Sequence, residues 1–286
     1  DEQLSQGWCP MVIDTNGDGR ISKPWNQPVG AMRSQNEGGG GGRLVDVDLT
    51  LDTRMSPGSY GIIADTQREG VAWGVGTEFP GRIYRLDIGD NPPETCITEV
   101  YELPVVDGKP TGFGPRGIDM DSNGIIWSAL SGSSHMASFD RSQCDVLNGP
   151  SVIDSQHCQQ GWTLHEIPGP NMKGTDRKAD FHYYNWVDIF NTLGLGENVP
   201  IANGSGSDSL VALVPETEEF VHMRVPYPLG FYSRGLDGRI DDPNAGWKGR
   251  GVWANYGTNF NWHTEGCKGA TSKMVKFQIR PDPLAK

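Results

Sequence analysis

The chain writes one pattern three times, and that repetition constrains its fold more than any other feature. A Gly opens a short apolar run, a turn follows, a second Gly leads to a Trp, and a strand-like segment closes on Leu or Phe. The copies run from Gly61 through Gly70 and Trp73 to Arg82-Ile83-Tyr84-Arg85-Leu86, from Gly117 through Gly124 and Trp127 to His135-Met136-Ala137-Ser138-Phe139, and from Gly235 through Gly251 and Trp253 to Lys273-Met274-Val275-Lys276-Phe277. Repetition of this kind signals stacked or radial β units. The expected fold class is all-β, a β-propeller of four-stranded antiparallel blades. Such a fold hosts enzymes, binders and scaffolds alike, so chemistry must be argued from individual residues.

Within each copy the Gly-apolar segment reads as an inner strand, and a cluster such as Asp121-Ser122-Asn123-Gly124 as a hairpin turn. The Trp run is the second strand and the Ile83-to-Leu86 type of segment the third. An outer strand then ends in proline at Pro104, Pro168 and Pro226, a residue that an edge tolerates. Blades are thus expected over 46–104, 105–168, 169–226 and 227–286. The third is degenerate: Tyr184-Asn185-Trp186-Val187 and Ser209 to Leu213 keep strand character without the Gly-x-x-Trp signature. Residues 1–45 differ in kind, a calcium-loop-like segment followed by a Gly-rich loop over Gly38 to Gly42, and are expected to complete a preceding blade.

Lys and Arg number 24 against 36 Asp and Glu, a net charge of −12. That balance argues against nucleic acid or an anionic membrane, both of which need a basic surface. No apolar stretch approaches the ~20 residues that cross a bilayer, and no signal peptide precedes Asp1, so a soluble chain that is processed or truncated is expected. Of the five cysteines, Cys144 and Cys158 bracket a loop rich in Gly, Pro, Asp and Ser, with no Cys-x-x-Cys pattern, so a local disulfide is expected. This favours an oxidising setting, periplasmic or secreted. The odd total leaves one thiol over, buried or paired outside the chain.

Asp14-Thr15-Asn16-Gly17-Asp18-Gly19-Arg20-Ile21 matches the first eight positions of a calcium loop, with oxygen donors at alternate positions and Gly at the sharp turn. Trp25 stands where the bidentate Glu belongs. A structural Ca2+ held by Asp14, Asn16 and Asp18 and an Asx-rich hairpin turn both fit. Asn203-Gly204-Ser205 is a formal glycosylation acceptor, a triplet that also arises by chance.

With these segments in hand, the chain resembles the virginiamycin B lyase (streptogramin lyase) type of β-propeller, and more closely a group of largely uncharacterised bacterial lyase-like propeller proteins. The resemblance rests on Ser5-Gln6-Gly7-Trp8, Asp14 to Gly19, Phe79-Pro80-Gly81-Arg82-Ile83, Asn91-Pro92-Pro93-Glu94-Thr95 and Tyr232-Ser233-Arg234-Gly235-Leu236-Asp237-Gly238-Arg239. It implies that Asp1 is not the natural start, that domains lie upstream, and that the four to five blades seen belong to a seven-bladed ring. It also implies that a His and a Glu, with Mg2+, open a cyclic ester by elimination.

The irregular copy locates the chemistry. Trp73 and Leu86 are 13 apart and Trp127 and Phe139 are 12, whereas Trp253 and Phe277 are 24. The excess holds Trp262, His263 and Glu265, an aromatic-rich insertion on the expected loop face. His263 or His182 would act as general base or acid, since imidazole titrates near neutrality. Glu265 would orient the His or hold the metal. Arg116, Tyr184, Arg234 and Trp262 form the expected ligand set, with an arginine stabilising a developing enolate or carboxylate. A His–Glu pair that is only a surface hydrogen bond, and arginines that only pair with acids, remain the plainer readings. Two functions follow: an extracytoplasmic binding or scaffold module with a small-molecule or protein partner, or a metal-dependent lyase-like enzyme.

Overall fold

A computed structural model of the chain describes residues 8–26, 47–55, 58–204, 206–225, 233–238, 251–256 and 273–278. Six sheets follow one another along the sequence. β1 (Val12–Ile13) pairs antiparallel with β2 (Thr53–Arg54). A four-stranded meander follows: β3 (Gly61–Ala64), β4 (Val71–Gly76), β5 (Arg82–Asp87) and β6 (Ile97–Glu102). The hairpin β7 (Val105–Val106) and β8 (Lys109–Pro110) leads to a second four-stranded sheet of β9 (Asp119–Met120), β10 (Ile126–Leu130), β11 (His135–Phe139) and β12 (Trp162–Glu166). A third comprises β13 (His182–Asp188), β14 (Val199–Gly204), β15 (Ser209–Val214) and β16 (Glu219–Arg224). The last has three described strands, β17 (Leu236–Asp237), β18 (Val252–Tyr256) and β19 (Lys273–Phe277).

The repeated sequence pattern has a physical cause in its turns. Asp65 accepts the N–H groups of Gln67 and Arg68 on one carboxylate oxygen and the Trp73 indole N–H, at 2.9 Å, on the other. Asp121 repeats the arrangement with Asn123, Ile125 and Trp127. Each aspartate thus closes its hairpin and holds a buried Trp, meeting the indole's need for an acceptor. A carboxylate four residues after the Gly, and a Trp on the next strand, are what the first two copies encode; the third has Arg239 in place of the carboxylate.

The propeller expectation is corrected. Among the described residues the fold is all-β, with separate antiparallel sheets of two to four strands, none of them closed into a barrel or propeller. The repeat specifies local hairpins, which form; ring closure depends on distant pairing that a local pattern does not encode.

The chain divides into two compact units, residues 1–116 with 138–163, and residues 117–137 with 164–286. In the first, Ile13, Tyr84, Val100 and Val152 pack together, and Trp73, Tyr101, Phe139 and Trp162 form an aromatic cluster. A buried ionic network runs beside it: Glu99 accepts from Arg85, from both ends of the Arg141 guanidinium and from the Tyr101 hydroxyl. Charge-assisted bonds of this kind are the strong ones, and burial with Glu99 alongside raises the Tyr101 hydroxyl far above its ordinary value.

Two disulfides lie in this unit. Cys144–Cys158 forms as expected, and Cys9–Cys96, which the sequence reading missed, closes a separation of 87 residues. They point to an oxidising, non-cytoplasmic compartment. They do not single out the periplasm, and that finer placement is corrected to the coarser one. Among the described residues no helix is long and apolar enough to cross a membrane. In the second unit, one core centres on Trp186, Ile201, Leu210 and Val252, and another on Trp127, Met136, Val187 and Val211.

Candidate functional site

The candidate site is built where β13 begins, in the second unit. Register between β13 and β14 shifts between His182 and Asn185, so Tyr183 and Tyr184 form a bulge. A bulge leaves backbone groups unpaired and re-aims side chains. Asn203 of β14 satisfies this one: its side-chain oxygen accepts the Tyr183 N–H at 2.5 Å and the Tyr184 N–H at 2.9 Å, and its amide nitrogen donates to the Ser233 carbonyl. Asn255 of β18 continues the scheme, accepting from the Arg234 and Gly235 N–H groups and from the Ser233 hydroxyl. Asn185 fixes the other end of the bulge, accepting from Ala129 N–H and donating to the Trp127 carbonyl. Gly117 permits that approach, since a Cβ there would stand 2.3 Å from the Asn185 side-chain oxygen.

On this scaffold the exposed Arg234 lays its guanidinium 5.1 Å above the Tyr183 ring. Such stacking orients the charged plane. Tyr184 is half-buried against the Trp186 core. His182 lies beneath, 0% exposed, with Nδ1 3.1 Å from the Asn203 carbonyl oxygen. Burial pushes its pKa below the ordinary value, opposed by Asp180 and by the Asn203 bond, and reinforced by His222 and His135. The imidazole is therefore neutral and does not reach solvent.

The remaining expected residues fall elsewhere. Arg116 belongs to the first unit, over the Tyr60 ring at 5.2 Å. Trp262, His263 and Glu265 lie outside the described residues, as does Cys267. Asp14 is buried, with one oxygen accepting the Gly17 N–H and the other the Gly19 N–H and the Asn148 amide. Asn16 and Asp18 likewise accept backbone N–H groups two residues on. In place of a demonstrated calcium site the described residues form the Asx-rich turn, with Asp14, Asn16 and Asp18 each accepting backbone N–H groups. Among the described residues no group of three His, Cys, Asp or Glu is placed to hold a metal ion. Asn203 is 0% exposed with its amide engaged, which makes the glycosylation triplet unusable in the folded chain.

Asn203 and Asn255 were not singled out from sequence. The available signal was Ala-Asn within an apolar strand, at Ala202-Asn203 and Ala254-Asn255, where Asn is normally depleted. A cleft at the opposite end of the β13–β16 sheet is lined by the polar Asp121, Glu197, Asn198 and Glu216 and by the apolar Leu195, Val199, Val214 and Pro215.

No protein-family model matches the chain, and no curated protein sequence does. The fold is that of an all-β meander protein. In structure, at low identity, it is similar to virginiamycin B lyase and streptogramin lyase, the group its sequence resembles. A selenomethionine-substituted virginiamycin B lyase from Staphylococcus aureus matches at 15% identity and TM-score 0.43, over 78% of this chain and 55% of that one. A catalytically inactive form of the same enzyme with quinupristin matches at 14% and 0.39, over 79% and 71%. A streptogramin B lyase matches at 13% and 0.35, over 79% and 70%. The chain thus spans little more than half the length of the first of these.

Proposed function

We propose that this chain carries the ligand-holding part of an exported, lyase-like enzyme that opens a cyclic ester by elimination. The observation that supports it is the Arg234–Tyr183 stack on a bulge fixed by two buried asparagines, Asn185 and Asn203, with the exposed Asn255 holding the Arg234 backbone. Elimination removes a proton from the carbon beside the ester-bearing carbon and expels a carboxylate. Both the enolate-like intermediate state and the leaving carboxylate concentrate negative charge on oxygen, which an oriented guanidinium stabilises. His182 is too deeply buried to touch a ligand, so the proton transfer falls to His263, with Glu265 orienting it. Mg2+, where bound, would polarise the ester carbonyl.

The test uses the full chain and a streptogramin-type cyclic ester such as virginiamycin B, followed by chromatography and mass spectrometry. Elimination yields a linear product of unchanged mass with a new double bond, whereas hydrolysis adds one water. Arg234→Ala is expected to lower kcat/KM about 100-fold, the scale of one lost oxyanion donor. A ligand that binds but returns unchanged would leave the binding-module reading in its place, and no binding at all would remove the site.

A further inference from the structure

Beneath the Arg234–Tyr183 stack, two acceptors are buried without a donor. Among the described residues His182 Nε2 and Asp180 Oδ2 have no hydrogen-bond partner, and their residues are 0% and 3% exposed. The tautomer of His182 follows from its other nitrogen. Nδ1 faces the Asn203 carbonyl at 3.1 Å, and a carbonyl only accepts, so Nδ1 carries the proton and Nε2 of the neutral ring presents a lone pair. Asp180 Oδ1 is satisfied by the N–H groups of Phe181 at 3.0 Å and Gly206 at 2.7 Å; Oδ2 is not.

Two neighbouring hydroxyls are already committed. The Ser131 hydroxyl donates to the His182 carbonyl and the Ser134 hydroxyl to the Asp180 carbonyl, spending both protons. His222 of β16 and His135 of β11, the titratable groups that face this pair, are both held below their ordinary pKa by burial and are neutral. No lysine or arginine forms an ion pair with Asp180 among the described residues. Gly206 is required for this arrangement, since a Cβ there would stand 2.8 Å from Asp180 Oδ1.

We propose that Asp180 and His182 form a built site for one small donor carrying two or more protons, a water molecule or an ammonium ion, that bridges Asp180 Oδ2 and His182 Nε2. Such an occupant matches both acceptors at once and fixes the ring in its Nδ1–H tautomer. The buried carboxylate, with no cationic partner, favours a charged donor where one is present. This inference stands on the acceptor count alone and is independent of the lyase reading.

The test is 15N NMR of the full chain labelled at histidine, recorded about one pH unit above the ordinary histidine pKa of ~6.5. His182 is assigned by the loss of its signal in His182→Gln; if that variant does not fold, His135→Gln, His157→Gln, His165→Gln, His222→Gln and His263→Gln, made one at a time, assign it by elimination among the six histidines. The expected result is a neutral ring protonated on Nδ1, with Nε2 shifted as a hydrogen-bond acceptor. Ammonium chloride is then titrated against sodium chloride at constant ionic strength. A saturable shift of His182 with ammonium alone identifies the cation, and Asp180→Asn should weaken it about tenfold, or 1.4 kcal/mol. No response to either salt, with a long-lived water cross-peak to the His182 ring, identifies water. A proton on Nε2, or the absence of both the ammonium response and the water cross-peak, overturns the proposal.

Discussion

Asn203→Ala should destabilise the second unit more than its single truncation suggests. The asparagine side chain makes three hydrogen bonds, accepting from Tyr183 and Tyr184 and donating to Ser233, at a position with 0% exposure. Alanine leaves two N–H groups and one carbonyl without partners. An unsatisfied buried group costs about 1–3 kcal/mol. Tyr183 and Tyr184 are only half-buried, so water recovers part of the loss, and the sum comes to roughly 3–5 kcal/mol out of the ~5–15 kcal/mol typical of a folded domain. For a unit of this size that is a fall in Tm of roughly 6–15 °C. Urea titration followed by tryptophan fluorescence reads it as a lower midpoint at unchanged slope. Asn123→Ala, in an exposed turn, is the control and should change stability by less than about 0.5 kcal/mol. A loss below about 1 kcal/mol for Asn203→Ala, or one equal to that of the control, refutes the view that this side chain holds the bulge.

Two further outcomes follow from burial and covalent connectivity. Burial lowers the pKa of His135, His157, His165, His182 and His222. Each native ring takes up its proton at lower pH than the unfolded ring, so stability is complete above ~6.5 and is lost as pH falls below it; a urea midpoint that holds steady from pH 7 to about 5 would contradict this assignment. Replacing Cys144 and Cys158 together by Ser should cost about 3 kcal/mol for the 14-residue separation, and replacing Cys9 and Cys96 should cost more, since 87 residues separate them; the reverse order in thermal unfolding would show that native-state contacts, not chain entropy, set the difference.

What the sequence disclosed was local. The hairpin at Asp121 to Gly124, the Trp strands and the outer strands ending before Pro104 and Pro168 all stand where the repeat put them, because each rests on contacts a few residues apart. The Cys144–Cys158 bond was legible for the same reason, and Cys9–Cys96 was not. Ring closure failed as an inference because it depends on pairing between distant edges. Asp14, Asn16 and Asp18 left two readings open in the sequence because oxygens spaced for a cation are equally spaced for the backbone N–H groups of a turn, and the turn is what the described residues form. His182 read as a candidate for proton transfer, but its depth is set by Asp180, Asn203 and the serines at 131 and 134, none of which a one-dimensional pattern places near it.

The order in which the two units draw on the chain has a consequence for biogenesis. The first takes residues 1–116 and 138–163, and the second takes 117–137 and everything from 164. A polypeptide emerging amino end first therefore cannot finish the first unit until residue 163 has appeared, by which time 21 residues belonging to the second are already out. Those residues wait, with Trp127 and Met136 lacking the partners that β13–β15 later bring. Both disulfides of the first unit draw only on residues up to Cys158, so their partners are all present before β13 to β19 have appeared.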